Sequence, residues 1–373
     1  MDRFKTALCG LLDIEYPIVQ SGMGGVAGPE LVAEVSRAGG LGILAGLRLT
    51  GEELRTRIRQ VRALTDRPFG VNLWLHTEVF PPAQTSVIPE ETVRAIQGQL
   101  NRFRERLGLP PSFARPGPEP DLAAEAFEVL VDERVPVWSI GLGNPEPRLV
   151  RRCHERGVKV VAMVATAEDA RAVAASGVDA VVAQGSEAGG HRSTWVKPAS
   201  RESALIGTMA LVPQIVEAVG VPVIAAGGLA DGRGLVAALA LGAGGILLGT
   251  RFVATRESIA PQLWKKSLLE KDADATGITD AFTGLYARAL RSAFTEEYAA
   301  SGAPVFPALV QSSAARDIFT AAIEQQNGEY FPMWAGQSVG LIRDLPGAGE
   351  VVHSIVREAR AALARLHAQV DLG

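Results

Sequence analysis

Residues 159–191 have the sequence KVVAMVATAEDARAVAASGVDAVVAQGSEAGGH, and this stretch decides the fold. Apolar, β-branched runs at Lys159–Val164 and Ala180–Gln184 predict two buried strands, and the alanine-rich spacing of Ala167–Ser176 between them predicts a helix. Two buried strands joined by a crossover helix are the repeating unit of a parallel sheet. The stretch therefore predicts one βαβ unit, followed by a glycine-rich loop that begins at Gly185.

The same unit recurs on both sides of this stretch. Further strands are predicted at Pro17–Ser21, Gly40–Ala45, Phe69–Leu73, Val135–Ile140, Pro222–Ala226 and Gly245–Gly249, with helical patterns such as Pro29–Ala38, Gly51–Ala63, Glu146–Arg156, Gly207–Val219 and Gly232–Leu241 between them. Eight βα units of this rhythm fit a closed barrel better than the alternative, an open doubly wound sheet. We predict an α/β fold, a (β/α)8 TIM barrel.

Two segments interrupt the rhythm and set the predicted domains. Residues 76–120 are proline-rich around a polar helical stretch, which predicts a surface excursion after the third strand. Residues 255–345 follow the eighth strand and have mostly helical spacing, which predicts a smaller helical domain inserted there that covers the substrate. The barrel is predicted at 1–254 and 346–373, with Gly349–Leu366 as its eighth helix.

The amino-acid composition limits the kinds of molecule that the protein is expected to bind. The chain has 373 residues, 47% of them hydrophobic, and a net charge near −4. It can therefore form a large core, and it has no Lys/Arg clusters set among aromatic residues, which argues against nucleic acid as a partner. Its longest charge-free stretch, Gly234–Thr250, holds five glycines and is too short to span a membrane. Cys9 and Cys153 match neither a disulfide framework nor a metal-ligand spacing. We predict buried thiols, a cytoplasmic location and a small-molecule substrate, with no nucleic acid or membrane as partner, and we leave a homodimer open.

The loops at the carboxyl ends of barrel strands build the active site, so residues there are the candidates. Gly22 and Met23 follow the first strand in a glycine-rich loop that lets a flat ligand approach the backbone, and Asn72 ends the third strand. Two glycine turns end the seventh and eighth strands, where barrels commonly bind phosphate through backbone N–H groups. They contain Gly227 and Gly228, and Leu247, Leu248, Gly249 and Thr250. A flexible loop and two tight turns without a ligand are the alternatives.

The loop after the sixth strand carries the most specific signal. Gln184-Gly185-Ser186-Glu187-Ala188-Gly189-Gly190-His191 brings a carboxylate, a glycine pair and an imidazole to the barrel mouth. Histidine is suited to proton transfer and anion stabilisation near neutral pH, so His191 is the predicted catalytic residue, with a structural histidine as the alternative. The other four histidines fall in the excursion or on helical patterns.

Other chemistries lack the residues that they need. Neither cysteine lies in this loop, which disfavours covalent attack on a nucleotide base. No histidine or carboxylate cluster has metal-ligand spacing, so no metal is predicted. Ser21 and Ser186 lack the nucleophile-elbow context of serine hydrolases, and no G-x-G-x-x-G fingerprint follows a strand, which disfavours a Rossmann-type nicotinamide domain.

On these residues the chain resembles the nitronate monooxygenase family, formerly called 2-nitropropane dioxygenases, which shares a fold with flavin-dependent enoyl-ACP reductases. The motifs that carry the resemblance extend over nearly the whole chain: Tyr16–Met23, Ala38–Gly42, Phe69–Asn72, Gln184–His191, Val223–Gly228, Leu248–Phe252, Ala281–Gly284 and Met333–Gln337. The resemblance implies FMN as cofactor and the oxidation of alkyl nitronates by O2 to a carbonyl compound and nitrite.

The resemblance also implies roles for the candidate residues. Gly22 and Met23 would contact the flavin ring, Asn72 and Gln184 would hydrogen-bond to it, and Gly189, with Gly190 beside it, would lie against it. His191 would act as a base or as the electrostatic partner of the nitronate. The phosphate of FMN would be held by the two glycine turns, that is by Gly227, Gly228, Leu247, Leu248, Gly249 and Thr250.

The chain departs from the family pattern in two places, and both leave the substrate open. Arg192-Ser193-Thr194 follows the histidine where a glycine is common, and the excursion at 76–120 is long. One alternative function is an NAD(P)H-dependent FMN reductase of a quinone, an enone or an enoyl thioester. Another, from a different class, is a flavin-binding barrel without turnover. The aromatic side chains of Glu329–Trp334 either cover the flavin or pack within the second domain.

Overall fold

The computed structural model describes residues 4–75, 84–117, 120–194 and 205–369. The strands among these residues are β1 Ile18–Gln20, β2 Gly42–Ala45, β3 Phe69–Trp74, β4 Val137–Leu142, β5 Lys159–Val164, β6 Ala180–Gln184, β7 Gly190–His191, β8 Val223–Ala226, β9 Gly245–Leu248, β10 Thr276–Thr279 and β11 Ala287–Leu290. All eight predicted strands are confirmed, each to within two residues at either end.

The eight predicted strands form a parallel barrel. They pair in the order β1-β9-β8-β6-β5-β4-β3-β2, and a parallel bridge between Val19 and Leu41 brings the two ends of this sheet together. At that junction Leu41 N donates to Ile18 O and Gln20 N donates to Leu41 O, each at 2.9 Å. The barrel prediction is therefore confirmed.

Strand residues alternate between the barrel interior and the surrounding helices. Val181 and Ala183 of β6 belong to the large core between sheet and helices, whereas Ala180 and Val182 belong to the core inside the barrel. This period of two is intrinsic to an extended chain. The short helix Ala7–Leu12 contributes Leu8 to the interior core, and Leu8 contacts Gly245 at the amino end of β9. The carboxyl ends of the strands stay accessible.

In the part of the chain that the structure describes, eight helices surround the barrel. They are Pro29–Arg37, Gly51–Leu64, Ala123–Asp132, Pro147–Glu155, Ala167–Ala175, Thr208–Ala218, Gly232–Ala240 and Ala348–Gln369. The last confirms the helix predicted at Gly349–Leu366, and it packs against Gly232–Ala240 and Pro29–Arg37. Gly157, Gly177 and Gly242 follow helices and have positive φ, as is common where a helix ends. The helix Thr208–Ala218 ends differently, because Val219 after it has extended backbone.

A second hydrophobic core lies beside the barrel. It joins Phe103 and its neighbours on the helix Glu90–Arg106 to Phe282, Phe294 and Ile318. Arg104, buried in the same helix, donates from Nε to Asp317 Oδ2 at 2.7 Å. The described part of the predicted excursion thus packs with the segment after β9, while its residues 76–83 and 118–119 lie outside the described residues.

The segment after β9 contains helices and a hairpin. Its helices are Thr250–Val253, Gln262–Glu270, Ala293–Ser301, Val310–Ala314 and Arg316–Glu324, and short 3-10 turns lie at Thr85–Val87, Ala273–Ala275, Gly328–Tyr330 and Gln337–Leu341. The antiparallel pair β10–β11 was not part of the helical prediction, and β7 extends it to three strands. Within the described ranges, no helix combines the length and apolar character needed to cross a membrane.

Candidate active site

A cavity of about 530 Å³ lies at the carboxyl ends of the barrel strands, a size typical of small-molecule sites. Its walls come from the loops after β1, β2, β3, β6, β8 and β9 and from residues of the segment 259–338. The structure brings together all but one of the predicted site residues, namely Gly22, Met23, Asn72, Gln184, Gly189, Gly190, His191, Gly227, Gly228, Leu247, Gly249 and Thr250. Leu248 does not line the cavity, because its side chain points into the outer core.

The wall of the cavity is rich in bare backbone. Ten of the lining residues are glycines. A Cβ atom added at Gly24, Gly25 or Gly190 would stand in open space, with no protein atom within 4 Å. Gly227 and Gly228 have φ values of +104° and +72°, in the region that favours glycine. A flat ligand can therefore lie directly against the main chain at these positions.

His191 lies between two tryptophan rings at the cavity wall. Its ring centroid is 4.8 Å from that of Trp74, in an edge-on arrangement, and 5.1 Å from that of Trp334. Its Nε2 atom is 2.9 Å from Thr283 Oγ1. Burial, and secondarily the positive charge of Arg48, lower the pKa of His191 to about 3. The imidazole is therefore neutral throughout the physiological pH range.

Pairing with the hairpin holds the histidine in place. Gly190 and His191 form β7, opposite Arg288 and Ala287 of β11, and Arg192 N donates to Tyr286 O at 2.9 Å. Gly190 enters this pairing with φ of +78°. The loop that carries His191 is thus anchored at one end by barrel strand β6 and at the other by the segment after β9.

Buried polar side chains fix the course of the loop. Gln184 Nε2 donates to His191 O and Gln184 Oε1 accepts from Ser193 N, both at 2.8 Å. Arg192, 4% exposed, donates to the carbonyl oxygens of Gly185 and Gln184, also at 2.8 Å. Arg288 Nε donates to the next carbonyl in the chain, Ser186 O, at 2.9 Å. The residues of 192–193 that depart from the family pattern therefore support the loop and do not line the cavity.

Two glycines let the chain from Trp334 onward pack against this loop. A Cβ at Gly189 would lie 2.5 Å from Gly336 N, and a Cβ at Gly336 would lie 2.6 Å from Glu187 O. Gln337 N donates to Glu187 O, and Gly336 N donates to Thr250 Oγ1, each at 2.9 Å. The motif at 333–337 is thereby placed against the cavity, and Trp334 lines it.

Asn72 and Glu187 have protein partners of their own. Asn72 Nδ2 donates to Ser139 Oγ at 3.1 Å, and Gly22 leaves the space that brings the loop after β1 against the Asn72 side chain. The carboxylate of Glu187 accepts from Thr208 N at the start of the helix Thr208–Ala218, at 2.9 and 3.0 Å, and from Thr208 Oγ1. Glu187 therefore caps a helix, where a negative charge is stabilised.

Several cavity residues were missed by the sequence analysis. Arg48 and Arg57 line the cavity beyond β2, and Arg48 Nη2 donates to Ser312 Oγ at 2.8 Å. The rule that strand-end loops form the site would have found Arg48, which has φ of +65°, uncommon for a residue with a side chain. Thr283 and Trp334 lie in motifs that were noted only as marks of the family.

The aromatic segment 329–334 contributes both to the cavity wall and to packing outside it. Trp334 and Pro332 line the cavity, whereas Phe331 packs against Trp264, and Tyr330 packs against Phe103.

The cysteines are confirmed as buried thiols, and burial raises the pKa of Cys153 to about 12. Among the described residues, no group of three or more histidine, cysteine or acidic side chains is arranged to hold a metal ion.

Comparison with known proteins places this architecture in a family. The model of the family "Nitronate monooxygenase" matches residues 5–358. A protein named "Probable nitronate monooxygenase" from Staphylococcus saprophyticus is 35% identical over 97% of this chain and 100% of its own length. Among solved structures, a nitroalkane oxidase from Streptomyces ansochromogenes is 35% identical with a TM-score of 0.85, covering 97% of this chain and 100% of its own.

FabK from Thermotoga maritima is also similar, with 31% identity and a TM-score of 0.75 over 98% of this chain and 99% of its own. The similarity therefore includes both the barrel and the segment after β9 that contributes residues to the cavity. From the family match over almost the full length, together with the cavity at the barrel mouth, the chain is an oxidoreductase and belongs to the nitronate monooxygenase family.

Proposed function

We propose that this protein is an FMN-dependent nitronate monooxygenase, which oxidises alkyl nitronates with O2 to a carbonyl compound and nitrite. The observation that carries the proposal is the charge of the cavity. Arg48 and Arg57 line it, and no aspartate or glutamate does so among the residues that the structure describes. A nitronate is an anion, and cationic side chains in a partly enclosed site favour an anionic ligand.

The proposed state of His191 agrees with a substrate that arrives already deprotonated. An imidazole with a pKa near 3 is a weak base, because a general base works best with a pKa near the operating pH. It is also a poor proton donor in its neutral form, which disfavours the reductase alternative, where an enone or quinone must be protonated. A neutral imidazole can still hydrogen-bond to the nitro oxygens of a bound nitronate.

The bare backbone of the cavity fits the flat ring system of FMN. We assign the ring to the glycine-rich wall around Gly22, Met23 and Gly189, and the phosphate to the turns at Gly227–Gly228 and 247–250. Gln184 and Asn72 already hydrogen-bond to protein atoms, so each offers FMN only its remaining hydrogen-bonding capacity. When bound, FMN supplies the electron-accepting ring that the oxidation requires.

We propose further that residues 255–345 form the substrate-covering domain, and that the helix Glu90–Arg106 belongs to it. Phe282, Leu309 and Phe319 line the cavity, and the first and last of these belong to or pack against the second hydrophobic core. The cover would shield the reacting groups from water and provide an apolar surface for the alkyl part of the substrate.

The test compares reductants in the absence of oxygen. Purified protein is mixed anaerobically with an alkyl nitronate, with NADH or with NADPH, and flavin absorbance is followed; O2 uptake and nitrite release are then measured in air. Bleaching by nitronate alone, with nitrite release, is the expected result. Rapid bleaching by NAD(P)H would instead favour the reductase, and no reaction with any of them would favour a barrel without turnover.

A variant assigns the chemistry to the site. His191→Ala should keep its flavin and lower turnover by about 10- to 150-fold, which corresponds to the loss of one hydrogen bond to a charged ligand, about 1.5–3 kcal/mol. The matched control is His154→Ala, because His154 lies on the helix Pro147–Glu155 away from the cavity. Loss of flavin from His191→Ala with turnover retained per bound flavin would mean that the histidine is structural.

A further inference from the structure

The closest polar neighbour of the His191 ring comes from a distant part of the chain. Thr283 Oγ1 is 2.9 Å from His191 Nε2, although the two residues are 92 positions apart. Thr283 is 7% exposed and lies in the turn between β10 and β11. A buried hydroxyl within hydrogen-bond distance of a ring nitrogen biases which nitrogen carries the proton, according to whether the hydroxyl donates or accepts.

The turn that carries this hydroxyl is rigid. Gly284 N donates to Asp280 O at 2.7 Å and Leu309 N donates to Thr283 O at 2.8 Å. Gly284 has φ of +78°, and a Cβ there would lie 2.3 Å from Phe306 O. The main chain on both sides of Thr283 is thus held by the covering segment, and the hydroxyl has a defined position.

The hydroxyl proton has one short acceptor. Leu285 N donates to Thr283 Oγ1 at 3.4 Å and Leu285 O is also 3.4 Å away, whereas His191 Nε2 is 2.9 Å away. We expect the hydroxyl to donate to the lone pair of His191 Nε2, because hydroxyl hydrogen bonds are usually about 2.5–3.0 Å long. Trp74 and Trp334 flank the imidazole on two sides and oppose rotation of its ring.

We propose that Thr283 is a positioning residue that donates its hydroxyl proton to Nε2, holds neutral His191 as the Nδ1–H tautomer and so keeps the Nδ1–H group available to a bound ligand. Its catalytic consequence rests on the proposed function, whereas the tautomer itself does not. Because the hydroxyl belongs to the covering segment and His191 to the loop after β6, the orientation of the histidine depends on the cover being in place.

The experiment uses three variants of the flavin-loaded protein. Thr283→Val removes the hydroxyl with little change in shape, and Thr283→Ser keeps it. Thr279→Val is the matched control, because Thr279 is a buried threonine of the same hairpin. Its Oγ1 atom accepts a hydrogen bond from Ala281 N at 3.1 Å and has no hydrogen bond to His191 among the described residues. The tautomer is observed by NMR of protein labelled with 15N-histidine, which has only five histidines, with the His191 signal assigned from a His191→Gln variant.

Thr283→Val should replace the single Nδ1–H pattern by a mixture of tautomers and lower kcat for a nitronate by about tenfold, the weakening of one hydrogen bond to a charged ligand. KM should change little. Thr283→Ser and Thr279→Val should keep both the tautomer and kcat. The proposal is overturned if Thr283→Val leaves the tautomer unchanged, or if Thr279→Val lowers kcat to the same extent. Absence of nitronate turnover in the wild type would refute the proposed function, while the NMR comparison would still decide the role of Thr283.

Discussion

Gly189→Ala tests whether the packing of the chain from Trp334 onward holds the site together. The new Cβ would lie 2.5 Å from Gly336 N and 2.6 Å from Ala335 C, where ordinary contact begins at 3.4 Å. The two backbones must therefore separate by about 0.9 Å, the difference between 3.4 and 2.5 Å. They cannot do so freely, because Gly336 N and Gln337 N are hydrogen-bonded to Thr250 Oγ1 and Glu187 O.

The expected loss of stability has two sources, the steric overlap at the new Cβ atom and the strain on these hydrogen bonds. Overpacking of a close-packed site costs about 1–3 kcal/mol, and one weakened buried hydrogen bond adds about 0.5–1.5 kcal/mol. We expect Gly189→Ala to lower the free energy of unfolding by about 2–4 kcal/mol, with loss of bound flavin. The assay is urea unfolding followed by tryptophan fluorescence, together with flavin absorbance after gel filtration.

The control is Gly98→Ala on the helix Glu90–Arg106, where an added Cβ meets no atom within 4 Å. This change should stabilise the protein by up to about 1 kcal/mol, because alanine is the better helix former. Wild-type stability and flavin content in Gly189→Ala would refute the argument that these two backbones require glycine between them. Equal destabilisation by Gly98→Ala would show that the effect is not specific to the site.

Three further predictions concern charge. The pKa of His191 in the folded protein lies below its usual 6.5, so the unfolded chain binds more protons between pH 6.5 and 3. Stability should therefore fall as the pH falls through this window, and it should fall by more in the wild type than in His191→Gln. Equal losses of Tm between pH 7 and 5 in the two proteins would contradict this. Arg192→Leu removes the guanidinium donors from the carbonyl oxygens of Gln184 and Gly185 and should lower the free energy of unfolding in urea by about 3 kcal/mol. Unchanged stability would show that these two hydrogen bonds are not needed to hold the loop. Arg57→Gln should raise KM for nitronates by up to about fivefold, because half-exposed charges contribute about 0.2–1 kcal/mol, and this effect should vanish in high salt. The control Arg59→Gln, on the same helix, should leave KM unchanged. Equal shifts of KM in both variants would argue against a role for Arg57.

Much of the site was accessible from the sequence because parallel strands end at a common edge. Once the eight strands were placed, the residues after them had to meet at one mouth, whatever their separation along the chain. That rule brought Gly22, Asn72 and His191 together correctly, although His191 and Gly22 are far apart in sequence. It also excluded Cys153, which lies on the helix Pro147–Glu155 and is buried in the core between sheet and helices.

The sequence by itself determined the barrel, its strand boundaries and the position of the histidine, because these depend on local periodicity and on where each strand ends. Only the tertiary structure decided what surrounds the histidine. Thr283 Oγ1 lies within hydrogen-bond distance of the imidazole, Trp334 packs against it, and the charge of Arg48 lowers its pKa, while Arg192 binds carbonyl oxygens of the loop. The first three interactions join residues distant in sequence, so no local pattern encodes them, and they set the surroundings and the charge of the ring.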